Sequence, residues 1–404
     1  MARLTRLEIG RWRNVQPGLV LDLADGYNIV VGPNGTGKSH LLDLLTLLLR
    51  GDLRPFEAEA FELGYTVADD DGFELTVRIQ STPRDSAGLW AEPPDSAVSG
   101  RMSLGSVVHR FESVGDRLEW FDLASGAPLR SAPFRLFQGG LNAQIGGAGA
   151  PWLAIKAGQL WPPAVAWGWF ANEVVRMDEG LALFEALVAR TGGERLRTLG
   201  QDDGVMGLTR SPSGSWSGDL VTGFAYRSPE AIQPRLDAVA QALREAAGFD
   251  TVQLSLRQRS DVRYHGLDLH FRPHPSGNLF REAEALSFGQ KRLFTWLVLS
   301  AFCPHVPLFA DEFTNGLHHA LVRTCVEAIG ARQAFLATQE PLLLDHLEFD
   351  SAEAVRKTFV LCRTNEAGQW VWEKPTAEMA EAVYGSYCVD VKHVSEIVRT
   401  LGLW

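Results

Sequence analysis

Apolar and polar residues alternate over residues 3–9 and again over 18–23, as in two paired strands with one buried face. Tyr27-Asn28-Ile29-Val30-Val31 is a short β-rich run ending at a glycine loop, and residues 38–49 follow with a leucine-rich helical face. Two more strands are expected at 61–67 and 73–80, around the turn Asp69-Asp70-Asp71-Gly72. From 81 to about 150 the pattern weakens. Pro, Gly and Ser are frequent there, so loops with short strands are expected. Residues 151–190 hold Trp152, Trp161, Trp167 and Trp169, then a helix over about 171–190, and 191–229 is Gly/Ser-rich. An amphipathic helix is expected at 230–247 and a hairpin at 251–259 and 266–272.

Order returns after 285. A helix over 287–302, a strand at 306–310, a helix over 317–330 and strands at 333–337 and 357–362 lead into a short hairpin and C-terminal helices. Strand–helix alternation of this kind implies a parallel central sheet. The chain shows no internal repeat and no long heptad segment.

A length of 404 residues allows two or three domains, or one large domain with an insertion. Apolar residues make up 46% and charged residues 22%, which suits a packed core and excludes a disordered chain. The net charge of −11 argues against nonspecific coating of nucleic acid, which needs clustered cations, but leaves room for one local basic groove. Cys303, Cys325, Cys362 and Cys388 form no Cys-x-x-Cys pair and read as reduced thiols. The N-terminus does not resemble a signal peptide. The most apolar stretch, 157–171, is too short to cross a bilayer and is broken by Pro162 and Pro163. A soluble, cytoplasmic protein without a membrane partner is expected.

Gly32-Pro33-Asn34-Gly35-Thr36-Gly37-Lys38-Ser39 fits G-x-x-x-x-G-K-[ST] without a mismatch, between a strand and a helix. In that setting backbone N–H groups curl round a phosphate and the helix N-terminus adds a favourable dipole. Asn34, Gly35, Thr36 and Gly37 would cradle ATP, Lys38 would reach its β- and γ-phosphates, and Ser39 would hold Mg²⁺. Leu308-Phe309-Ala310-Asp311-Glu312 is an apolar strand ending in two carboxylates. An acid at the neighbouring strand end must hold the Mg²⁺ shell, which suits Asp311, and a second can polarise the attacking water, which suits Glu312. Alone such a pair is an ordinary solvated strand end; beside a phosphate loop it completes a site. Leu286-Ser287-Phe288-Gly289-Gln290 opens a helix, with Ser287 as N-cap and Gly289 permitting close approach.

Together these elements resemble the non-transporter branch of the ABC-ATPase superfamily, the RecF-, SMC- and OLD-like ATPases. Leu286–Gln290 matches that family's signature motif, Asn315-Gly316-Leu317-His318 its D-loop, and Trp12-Arg13-Asn14 an element whose arginine lies near the nucleotide. The likeness covers about 1–80 and 281–365. It implies an α/β P-loop NTPase fold with a mixed or parallel central sheet and an inserted α+β region. It also implies Mg²⁺-dependent ATP hydrolysis in a site where Ser287, Gly289 and Gln290 contact the nucleotide of a second copy. Two positions depart from the family pattern. Gln339 stands where a switch histidine is usual; glutamine can hydrogen-bond a γ-phosphate but cannot take its proton. Phe313 replaces a more usual proline. Gln80 is the candidate for the family's Mg²⁺-contacting glutamine.

Other constellations are weaker. His265, His270 and His274 lack cysteine partners and do not make a convincing zinc site. Arg257, Arg259, Arg263 and Arg272 are interleaved with Asp250, Asp261 and Asp268, as on a solvated strand face. The tryptophan-rich stretch could stack bases, but reads better as core or subunit interface. We therefore expect nucleotide-binding lobes at 1–80 and 281–404 and an inserted lid or recognition region at 81–280. The first functional expectation is a switch ATPase that ATP closes into a homodimer or higher oligomer. Its closed form would control a protein effector, a nuclease or toxin of a bacterial anti-phage defence system. The alternative is a RecF-like repair ATPase that clamps DNA. A transporter subunit fits poorly, because the long insertion between Lys38 and Ser287 offers no obvious membrane-subunit dock.

Overall fold

A computed structural model of the protein describes residues 3–50, 53–82, 95–136, 205–208, 224–226, 229–258, 265–280, 285–302, 307–338 and 341–389. The expected helix over 171–190 and the tryptophan-rich stretch lie outside the described residues.

The first sheet is antiparallel and eight-stranded, in the order β2-β1-β4-β5-β6-β7-β8-β9. β1 (Arg3–Trp12) pairs with β2 (Leu19–Asp22) on one side and β4 (Phe61–Ala68) on the other. Its fully buried residues Leu4, Leu7, Ile9 and Trp12 are not strictly two apart. Register shifts against β4 at Leu4/Arg6 and Ile9/Arg11 account for this, since an extra residue in a strand re-aims those that follow. β5 (Phe73–Thr82) continues into a meander of β6 (Asp95–Leu104), β7 (Val107–Val114), β8 (Arg117–Asp122) and β9 (Pro128–Pro133). Regular strands thus fill much of 95–133, where loops with short strands are expected from the sequence. The reason is one-sided burial: β6 contributes only Val98 and Met102 to the core and β9 no buried residue, so the apolar signal is sparse. The sheet runs unbroken across residue 80.

At the centre is a five-stranded sheet. It orders β14 (Leu308–Ala310), β15 (Ala334–Ala337), β3 (Tyr27–Val31), β16 (Phe359–Thr364) and β17 (Trp370–Glu373). The first four are parallel, and β17 is an antiparallel edge. Burial on both faces explains their nearly continuous apolar runs. The buried Gln333 side chain joins this sheet to the first by bonding both backbone groups of Leu4.

A third sheet has the order β10 (Val205–Leu208), β11 (Phe224–Tyr226), β13 (His265–Arg272), β12 (Thr251–Gln258). β12 and β13 form the expected hairpin. Among the helices, α1 (Lys38–Arg50) follows β3, and α2 (Pro229–Ala247) packs on β12 and on α3 (Phe288–Phe302). α4 (His319–Ile329) packs on α3. The short α5 (Ala352–Thr358), unforeseen in the sequence, starts at a Ser351 cap whose Oγ accepts from the Ala354 N–H at 3.1 Å. α6 (Ala377–Val389) packs on α5. No described helix is long and apolar enough to cross a membrane.

Candidate nucleotide site

β3 is buried from Asn28 to Val31 and delivers Gly32 to the carboxyl edge of the parallel sheet, where open α/β sheets bind ligands. Gly32, Gly35 and Gly37 have φ of 148°, 81° and 83°, values an L side chain rarely adopts. A Cβ on Gly32 would collide with the Cys362 carbonyl of β16, and one on Gly37 would sit 2.7 Å from the Trp370 ring. Asn34, Gly35 and Ser39 are exposed, whereas Thr36 and Lys38 are buried. The Thr36 hydroxyl donates to the Pro33 carbonyl at 2.8 Å and closes the turn. Lys38 Nζ donates to the carbonyls of Gly32 (2.7 Å) and Pro33 (2.9 Å), so the ammonium lies along the loop it serves. Burial pushes its pKa below the ordinary lysine range, while the nearby carboxylates of Asp311 and Glu312 work against that shift.

β17 braces this loop from behind, which the sequence did not disclose. Trp370 Nε1 donates to the Gly35 carbonyl at 2.8 Å, and Trp372 Nε1 to the Thr36 carbonyl at 3.1 Å. The Trp370 ring meets His40 at 4.6 Å between centroids, and Trp372 meets Trp12 at 6.2 Å. The turn after β1 joins the same assembly: Trp370 N donates to the Asn14 carbonyl, and Asn14 Nδ2 to the Gly368 carbonyl. Arg13 in this turn has φ +43°. Its guanidinium makes a double hydrogen bond to Glu59 (2.6 and 2.9 Å) and lies over the Trp12 ring at 4.8 Å. Arg13 thus flanks the start of α1 through Trp12, which also contacts His40.

Asp311 and Glu312 leave the buried β14 and are half-buried and exposed, respectively. β14 is not the immediate neighbour of the loop strand, contrary to the sequence expectation; β15 lies between them. The acids nevertheless act electrostatically on Lys38. Glu312 has φ +46°, uncommon for a non-glycine residue and characteristic of functional turns. Several groups hold it there. Its N–H donates to Asp311 Oδ1 at 3.0 Å, Asn315 Nδ2 donates to its Oε2 at 3.0 Å, and its carbonyl accepts from the Asn315 N–H at 2.9 Å and from Arg292 Nη2 at 3.1 Å. The next residues tie to β15: Phe313 N donates to the Ala337 carbonyl, and the Thr314 and Thr338 hydroxyls share a hydrogen bond of 2.9 Å.

The Ser287 segment forms a capping box. Ser287 N donates to Gln290 Oε1 at 2.9 Å and Gln290 N to Ser287 Oγ at 3.4 Å, which satisfies two helix-start donors. Gly289 abuts the Gly316 carbonyl so closely that any Cβ would overlap it. Ser287 is exposed and Phe288 is 41% exposed, so the helix start faces outward.

Gln80 lies near the end of β5, exposed, opposite Glu62 of β4 and Ala97 of β6. Gln339 is outside the described residues; Thr338 before it lies beside β3, its N–H donating to the Val30 carbonyl at 3.4 Å. Cys325 and Cys362 are buried thiols with pKa pushed up to about 12 by burial. Among the described residues no cluster of three or more His, Cys, Asp or Glu side chains is built to hold a metal. Mg²⁺ on a nucleotide takes most ligands from phosphate and water and needs one or two from protein. The Ser39 hydroxyl and the Asp311 carboxylate are donors of that kind. Bound there, Mg²⁺ would neutralise charge on the β- and γ-phosphates.

The fold and site define an α/β P-loop nucleotide-binding head. Part of the chain is similar to RecF. The chain is 40% identical to the DNA replication and repair protein RecF of Erwinia tasmaniensis over 135 residues, 31% of this chain and 35% of that protein. It is 32% identical to RecF of Desulforudis audaxviator over 114 residues, 26% of this chain and 31% of that one. The matches thus span about a third of the length of these curated relatives. No family model matches the chain. Among solved structures, the SMC head bound to the C-terminal winged-helix domain of ScpA is similar at a TM-score of 0.47 and 14% identity, over 93% of this chain and 99% of that one. The SMC head domain from Thermotoga maritima is similar at 0.40 and 12%, also over 93% and 99%.

Proposed function

We propose that the protein is a Mg²⁺-dependent ATPase that works as a switch, closing on ATP into a homodimer in which each site borrows the Ser287 helix start of the other copy. The observation that carries this reading is the convergence of Lys38, Asp311 and Glu312 at one sheet edge, while the Ser287–Gln290 cap faces outward. The phosphate loop binds the nucleotide. Glu312, pre-set by Asn315 and Arg292, accepts a proton from the attacking water. Ser39 and Asp311, with Gln80 as a further candidate, hold Mg²⁺, and Gln339 serves as the switch residue. The nucleotide lobes are 1–80 and 281–404, with 81–280 as the recognition region. The test is Glu312→Gln, which keeps the phosphate contacts and loses the base. It should bind ATP, slow turnover by about 10²-fold or more and accumulate as a dimer in sedimentation. A variant that stays monomeric at concentrations well above its ATP affinity rules out this mechanism.

The output of the switch has two readings. The RecF likeness favours a DNA clamp of the cytoplasm, in which case duplex ends or gapped DNA should stimulate ATP turnover. The other output is a protein effector, a nuclease or toxin in anti-phage defence. It should co-purify with the Glu312→Gln dimer, with turnover indifferent to DNA.

A further inference from the structure

Arg292 sits one turn into α3, directly behind the signature segment, and is only 7% exposed. Burying a guanidinium is costly unless its donors are used. This one reaches out of its helix to the Glu312 carbonyl at 3.1 Å, and its charged end lies 5.8 Å from the centre of the Phe288 ring. Phe288 in turn packs on Gly316, where a Cβ would sit 2.5 Å from its ring. One guanidinium therefore touches both the outward-facing helix start and the backbone of the residue proposed as general base. Glu312 needs such a hold, because φ +46° is strained for a glutamate and persists only where surroundings over-determine it.

We infer that Arg292 is a positioning residue that holds the Glu312 backbone, and through it the carboxylate, of its own copy. It thereby ties each copy's hydrolytic base to the helix start that the same copy presents to its partner. This rests on the two-copy site proposed above.

The test compares Arg292→Met, which keeps the length and loses the donors, with Arg292→Lys, which restores one donor. Arg292→Met should bind ATP within about twofold of wild type and lose turnover by roughly tenfold or more, as expected when only the base is misplaced. Arg292→Lys should recover much of that turnover. Equal loss of ATP affinity and turnover in both variants would mean a merely structural arginine, and wild-type turnover in Arg292→Met overturns the claim outright. Mixing assigns the copy. Arg292→Met mixed with Ser287→Arg builds one site with neither defect if Arg292 serves its own Glu312, so activity should return. Mixed with Lys38→Ala, every site carries a defect and activity should stay low. Recovery with Lys38→Ala, or with neither partner while the control mixture of Lys38→Ala and Ser287→Arg recovers, overturns the inference. A control mixture that stays inactive means that each copy hydrolyses ATP alone or that both sites must fire together. The split between affinity and turnover in the unmixed variants then decides the role of Arg292 alone.

Discussion

The indole N–H of Trp370 donates to the carbonyl of Gly35, 335 positions earlier in the chain, at 2.8 Å. A phosphate loop works by turning N–H groups inward, which leaves carbonyls facing out and in need of donors. Trp370 and Trp372 supply two of those donors from an edge strand, and the Trp370 ring fills the space that the missing Cβ of Gly37 leaves. The loop conformation is thus held by β17 before any ligand arrives.

Trp370→Ala should therefore weaken ATP and inorganic triphosphate alike, by about tenfold, the equivalent of one lost hydrogen bond and its packing. Trp370→Phe, which keeps a ring on Gly37 but no donor, should fall between. Equilibrium binding of both ligands checks this. Loss for ATP with triphosphate unchanged would place Trp370 at the nucleoside instead, and unchanged affinity for both would remove the brace.

Lys38→Ala should abolish most ATP affinity while leaving the fold intact by circular dichroism, because the β/γ-phosphate charge loses its partner. The pH dependence has a definite sign. Burial lowers the Lys38 pKa, and the cationic form is the one that binds phosphate. ATP affinity of the wild type should accordingly fall as pH rises, starting below the range where an ordinary lysine deprotonates. Affinity that stays flat across the alkaline range contradicts this electrostatic picture.

The parts of this architecture that could be read from the chain are those encoded locally. The phosphate loop announces itself through glycines that must take positive φ, and the parallel strands through runs such as Leu308–Ala310 and Ala334–Ala337, buried on both faces. The capping box is visible in Ser287 and Gln290 because its partners are three residues apart. Strand order is not local, so nothing in the sequence reveals that β15 separates β14 from β3. The meander β6–β9 is hard to see because a sheet with one open face needs few apolar residues. Trp370 and Trp372 show only a period of two, which fits any half-buried strand. A buried arginine such as Arg292 looks like a solvated one until the chain segment opposite it is known.

Gln339 follows Thr338, whose backbone is bonded to β3 and whose hydroxyl is bonded to Thr314. If the segment lies at the γ-phosphate, Gln339→His should keep or raise turnover, since an imidazole can both donate and take a proton. Gln339→Ala should lower turnover with little change in ATP affinity. Steady-state hydrolysis by the two variants decides the matter; wild-type rates in both would place the segment elsewhere.

The two-copy site makes the strongest demand. Ser287 is exposed at the start of α3, and its Oγ and Gln290 Oε1 each accept from the other residue's backbone N–H across the cap. A helix start in this state offers its remaining N–H groups and dipole to an anion carried by another molecule. Ser287→Arg should then bind ATP normally but neither associate nor hydrolyse, because a bulky cation blocks the joint. Lys38→Ala fails earlier, at binding. In an equimolar mixture only a mixed dimer can close an intact joint, since Ser287→Arg does not associate and Lys38→Ala does not bind ATP, and each mixed dimer has one site with both defects and one with neither. Two inactive proteins should therefore regain activity on mixing, up to about half of wild type when intact sites work independently, because the proposed site is assembled from both copies. Mixing that restores nothing, with both variants folded and exchanging subunits, means that each copy hydrolyses ATP alone or that both sites must fire together. The Glu312→Gln sedimentation result separates those two outcomes, since only the second still predicts a trapped dimer.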